Sequence, residues 1–146
     1  MTSKISTVSR IALGAGFVVF GLNGFLHFAP LPPEPERAGA FLGALAATGY
    51  MIPLIKGTEV VAGALLLANR FVPLALALLA PGLVNIVLFH AFLAPAGLAV
   101  PLVLLAAELT LAWTYRGAYA PMLAARVAPA ARHENTRAAP RKLAPA

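Results

Sequence analysis

From Phe71 to Ala94 the chain has no Lys, Arg, Asp or Glu. A stretch of that length, folded as a helix, crosses the hydrocarbon core of a bilayer. It dominates the reading because the rest of the chain repeats it. A water-soluble domain is about a quarter charged. This chain is 11% charged and 60% hydrophobic. That is too little charge to cover a water-facing surface, and too much apolar surface for disorder over most of the length. The absence of Cys excludes a disulfide scaffold, a thiolate zinc site and a Cys nucleophile. A length of 146 residues allows one domain.

Four apolar runs predict an all-α integral membrane four-helix bundle, with spans at about 11–28, 51–68, 71–94 and 97–115. The first run reaches roughly 27 Å at the helical rise. Pro30, Pro32, Pro33 and Pro35 then stop it. A cleaved signal peptide is not expected, because His27-Phe28-Ala29 followed by Pro30 is a poor cleavage site. Between the first two spans, Pro35 and Glu36 open a short Ala-rich helix over Ala38–Ala47. It is too short to cross and is expected at the interface. Residues 1–120 form the bundle region. Pro121–Ala146 is rich in Ala, Pro and Arg, lacks aromatic residues, and is expected to be a largely disordered basic tail.

The basic residues orient the bundle. Lys4, Arg10, Arg70, Arg116, Arg126, Arg132, Arg137, Arg141 and Lys142 fall on one side of a four-span chain, against Glu34, Glu36 and only Arg37 on the other. The positive-inside rule predicts a bacterial inner-membrane protein with both termini cytoplasmic. The net charge of +6 then reflects topology and the anionic leaflet. Nucleic acid is not an expected partner, because no aromatic residue interleaves with the bases. Tyr50, Trp113, Tyr115 and Tyr119 fit an aromatic belt at the span boundaries.

The candidate functional residues are the polar groups within the apolar runs: Asn23 and His27, Lys56 and Glu59, Asn85 and His90, and Glu108. Charged groups at a helix centre cost about 2.5–3.5 kcal/mol each, so they need pairing or a polar interior. Gly16, Phe20, Asn23 and His27 share one helical face, with Gly14, Gly21 and Gly24 on or beside it to admit a neighbouring helix. Ile52, Lys56, Glu59, Gly63 and Leu66 form the matching stripe. Asn85 and Phe89 share a face, and His90 points elsewhere.

By depth, His27 and His90 come first, then Lys56, Asn23 and Asn85 at roughly 8–12 Å. Glu59 is deeper and Glu108 lies near the midplane. The pattern predicts a polar pocket entered from the outer side and closed below. Lys56 and Glu59 also read as a structural i, i+3 pair, and the two Asn as inter-helix hydrogen-bond partners. His27 and His90 lack the supporting spacing of a haem pair, and no metal site is expected. Pro81-Gly82 is expected to kink its span. No phosphate loop, dinucleotide fingerprint, HExxH or nucleophile elbow is present.

Four segments resemble the DoxX-like family of small bacterial four-helix membrane proteins: Phe20–Pro30, Ala47–Leu76, Ala80–Pro95 and Ala107–Leu123. Glu59-x-x-x-Gly63 and the Asn85–His90 run are the most specific matches. Where many members of that family carry a Lys late in the first helix, this chain has Asn23-Gly24-Phe25-Leu26-His27. The resemblance implies a redox-linked membrane component with a partner subunit, more than a stand-alone enzyme. As an enzyme it would be a subunit of a quinone-linked oxidoreductase. On this reading the pocket takes a quinone or a similar amphipathic molecule. Glu59 and Glu108 handle protons, Lys56 stabilises a reduced oxyanion, and Asn23, His27, Asn85 and His90 position the ligand. A proton-coupled solute transporter component and a purely structural scaffold are the alternatives.

Overall fold

The computed structural model describes residues 2–30 and 33–126. Among the described residues every regular element is helical: α1 (Thr2–Leu26), α2 (Glu36–Ala47), α3 (Met51–Leu67), α4 (Val72–Phe92), α5 (Ala99–Thr114) and α6 (Arg116–Tyr119). Two 3₁₀ turns, Pro95–Gly97 and Ala120–Leu123, flank α5 and α6. The predicted tail therefore begins inside a 3₁₀ turn, and residues 127–146 lie outside the described residues.

Two helices are long and apolar enough to cross a membrane, Lys4–Leu26 and Val72–Phe92. A third is counted if the bent pair α2 and α3 is one span, and α5 is a shorter apolar helix. The first helix starts at Thr2, well before the apolar run that predicts it, because nothing in Thr2–Arg10 breaks a helix. It ends where His27 takes a left-handed φ of 50° and donates its N–H to the Asn23 carbonyl at 3.0 Å. Helix α4 runs through Pro81 as one helix.

Helix α2 meets α3 at 93°. The corner is built by Thr48, Gly49 and Tyr50. Gly49 has φ 75°, a conformation that strains other residues. The Thr48 hydroxyl accepts the Met51 N–H at 3.1 Å and so opens α3. Phe41 of α2 stacks against Phe89 of α4, with ring centroids 5.8 Å apart.

The most extensive packing is α1 against α3. A Cβ placed on Gly63 would stand 2.9 Å from the Gly14 carbonyl oxygen, so the two backbones touch. Farther along, a Cβ on Gly24 would strike the Lys56 stem at 2.6 Å. Leu13, Phe17, Ala62, Leu66, Val72, Ala75, Leu76, Leu79, Leu83 and Leu111 close the core. Arg10 donates from Nη1 to the carbonyls of Leu66 and Leu67, adding a side-chain donor at the end of α3.

Candidate functional site

The buried residues of α1 are Leu13, Gly14, Phe17, Gly21 and Asn23, so of the stripe Gly16–Phe20–Asn23–His27 that spacing suggests only Asn23 is buried and Gly16 is half-buried. Phe20 is 45% exposed and His27 is exposed. The offset is one residue, about 100° of helix rotation. The glycines decide it, because they let α3 settle where the backbones come closest. On α3 the predicted stripe stands: Glu59, Gly63 and Leu66 are buried, and Ile52 and Lys56 are half-buried.

Lys56 and Glu59 form an ion pair. Lys56 Nζ donates to Glu59 Oε2 at 2.8 Å, with the side chains 25% and 6% exposed. The Lys56 stem lies along Gly24, and the Glu59 Cβ sits against Gly21. The flat glycine face of α1 therefore holds both charges in place.

Glu59 also lines a cleft of about 220 Å³ between α3 and α4. Leu54, Ile55 and Thr58 form one wall, Leu78, Leu79, Pro81 and Gly82 the other, and Phe17 contributes from α1. Exposed Leu54, Leu78, Pro81 and Gly82 make it open sideways between the two helices. A Cβ built on Gly82 meets nothing within 4 Å. The predicted polar pocket entered from the end is thus replaced by a lateral, mostly apolar cleft with one carboxylate in its wall.

The other candidate residues lie elsewhere. Asn23 is buried and spends its amide on its own chain: Nδ2 donates to the Ala29 carbonyl at 3.1 Å, and the Ala29 N–H donates to Oδ1 at 2.7 Å. It closes the loop after α1. His27 is exposed in that loop. Asn85 is exposed on α4, because the buried stripe there runs through Leu76, Leu79 and Leu83. His90 is half-buried, with Nδ1 2.8 Å from the Ile86 carbonyl, its ring at right angles to Phe89 and its Cδ2–Nε2 side against Gly97.

Glu108 is 5% exposed, and its Oε2 has no hydrogen-bond partner. It does not share a site with Glu59. Glu59 lies at the level of Gly21 and Leu104 at the level of Gly16. Glu108 is one turn beyond Leu104 in the direction away from Gly21, so the two residues are offset by about 13 Å of helical rise along the bundle. Tyr119 lies on the Glu108 side. Burial, and then the Glu108 charge, raise its phenol above the ordinary tyrosine value. The Tyr119 hydroxyl donates to the Pro73 carbonyl at 2.9 Å, tying the end of the bundle to the start of α4.

Among the described residues, no three His, Cys, Asp or Glu side chains gather as metal ligands. The cleft walls Leu54, Ile55, Thr58 and Leu78 carry no sequence signal that separates them from packing residues. Only Pro81-Gly82, a proline and a glycine inside a helix, marks the place.

Comparison with family models, with curated proteins and with solved structures finds no match to this chain.

Proposed function

We propose that this chain is a membrane-embedded bundle crossing the bilayer with α1, α3, α4 and α5, and that the α3/α4 cleft receives an amphipathic small molecule of the quinone type. The cleft with Glu59 in its wall and Lys56 bonded to it carries this reading. The four-span part rests on packing. Helices α3 and α5 are short, but they run alongside α1 and α4, which are long enough to cross. Their shortfall of a few ångströms against a core of about 30 Å is a mismatch that tilt and local thinning absorb. Helix α2, turned away at 93°, suits an interfacial position. The basic residues favour an inner-membrane protein with cytoplasmic termini.

Size narrows the ligand. Sites for drug-sized molecules occupy roughly 300–1,000 Å³. At about 220 Å³ the cleft takes a single ring. Its lateral mouth lets an attached chain trail into lipid. Glu59 would accept a hydrogen bond from a quinol hydroxyl or, when protonated, give its proton to the quinone oxygen on reduction, and Lys56 would offset the developing oxyanion. With no Cys in the chain, electrons for any reduction would come from a partner subunit, in keeping with the DoxX-like resemblance. Glu108 lies outside the cleft and takes no part in this reading. The closed core of Leu13, Leu66, Val72, Leu76 and Leu111 disfavours a solute path through the bundle.

Gly82→Leu is the direct test. The new side chain enters open space in the cleft, and Leu favours a helix over Gly by up to about 1 kcal/mol. The wild-type chain in detergent should bind a short-chain quinone saturably. Gly82→Leu should bind at least about tenfold more weakly, near 1.4 kcal/mol, with its thermal midpoint kept or raised. Equal affinity in the variant removes the cleft from the reading, and no saturable binding by the wild type removes the ligand class.

A further inference from the structure

A second groove lies at the opposite side of the bundle, between the first turns of α1 and the last turns of α5. It has a volume of about 460 Å³ and is lined by Ile5, Leu109, Thr110, Trp113 and Thr114. Ile5 is 53%, Leu109 61% and Trp113 72% exposed, so the groove opens outward along the helices. Its lining is apolar apart from two hydroxyls. Both are already committed to helix carbonyls, Thr110 to Ala106 at 2.7 Å and Thr114 to Thr110 at 2.8 Å. A groove like this suits a hydrocarbon chain, and its own polar atoms ask for nothing.

The charge at its end is different. Arg116 lies over the Trp113 ring, its guanidinium carbon 5.0 Å from the ring centroid, and Nη1 donates to the Trp113 carbonyl at 2.9 Å. One nitrogen is used, and the guanidinium still has donors to give. Lys4, next to Ile5, is exposed at the same end. No acidic residue lies in Thr2–Leu26, and Glu108 is the sole acid of α5, buried on its inner face. The mouth of the groove is therefore cationic and its body hydrocarbon-like.

We propose that this groove is a binding site for an anionic phospholipid, one acyl chain lying along Ile5, Leu109 and Trp113 and the phosphate held by Arg116 with Lys4. The inference rests on the chain residing in a bilayer, as proposed above, and not on the quinone cleft. A planar guanidinium fixed on an indole is a ready phosphate partner, because the stacking holds the side chain before the lipid arrives.

The sequence supplies its own probe, because Trp113 is the only tryptophan. The full chain is placed in phosphatidylcholine vesicles that contain, at equal mole fraction, either brominated phosphatidylcholine or brominated phosphatidylglycerol. Trp113 fluorescence is then read. Phosphatidylglycerol should associate with Trp113 about fivefold more strongly, the scale of one basic side chain near an anionic surface. The preference should vanish in Lys4→Gln/Arg116→Gln. It should also vanish when the probe is moved by Trp113→Phe/Phe71→Trp, which keeps every charge and places the indole at an exposed site outside the groove. Equal quenching by the two lipids overturns the site, and so does a preference that persists in either variant, which would belong to the other basic residues of that end, Arg70 and the tail among them. Absence of quenching by both lipids overturns this proposal and the membrane reading together, whereas loss of quinone binding leaves it untouched.

Discussion

Two buried carboxylates of equal exposure sit in contrasting surroundings. Glu59 and Glu108 are each 5% exposed. Glu59 lies on the glycine-lined seam of α1 and α3, with Lys56 at 2.8 Å. Glu108 lies on the buried face of α5 with an unpartnered oxygen. The seam accommodates a charge because glycines let two helices approach, and the space above Gly24 takes a lysine stem. The buried face of α5 brings the Glu108 Oε2 no donor. Equal burial therefore says little about what a carboxylate costs. What counts is whether the neighbouring helix brings a partner.

Breaking the seam should have the largest effect. Gly63→Val drives a side chain into the Gly14 carbonyl and the backbone of Val18. Because backbone has no rotamer to yield, we expect a loss of about 3 kcal/mol, the upper part of the overpacking range. The check is denaturant unfolding in detergent followed by circular dichroism. An unchanged midpoint would mean that the helices do not meet there.

Removing one charge of the pair comes next. Lys56→Met strands Glu59 and should cost about 2 kcal/mol, less than the 3–5 kcal/mol of a fully buried pair because the Lys56 side chain is 25% exposed. Adding Glu59→Leu in the same chain should restore most of that loss, which a double-mutant cycle measures. Glu108→Leu should behave in the opposite sense and stabilise by about 1 kcal/mol, because it replaces an unpartnered carboxyl with an apolar side chain. A destabilised Glu108→Leu, measured the same way, would show that the carboxyl has a partner and would erase the contrast.

The smallest effect concerns Tyr119. Tyr119→Phe loses one hydrogen bond to Pro73 and should cost about 1 kcal/mol. The phenol is raised from 10.0, so the folded chain holds its proton more tightly than the unfolded chain. Its contribution is complete below the unfolded value and falls as pH rises past it. The alkaline limb of the stability profile should flatten in Tyr119→Phe, and an identical limb in both chains would detach Tyr119 from it.

Much of this was legible in the residues. The apolar runs predict α3, α4 and α5 to within a few residues at each end. Lys56 and Glu59, three apart, were within reach of each other if the segment was helical. Asn23, His27 and Asn85 show where such reading stops. Periodicity placed them on faces, but Asn23 is consumed by its own loop, His27 takes a helix-ending conformation, and Asn85 is turned outward by the rotation of α4.

That the described residues are helical, where the helices run, and which few charges lie inside apolar segments can all be read from the residues in order. All three follow from local chemistry: side-chain hydropathy, the missing N–H of proline and the fixed helical repeat. The rotation of each helix and its axial register against its neighbours are set by packing. Those depend on where Gly14 meets Gly63 and where Gly16 meets Leu104, contacts between residues far apart in the chain. That register leaves Glu59 beside a lysine and a cleft, and Glu108 about 13 Å farther along the bundle with an unpartnered oxygen.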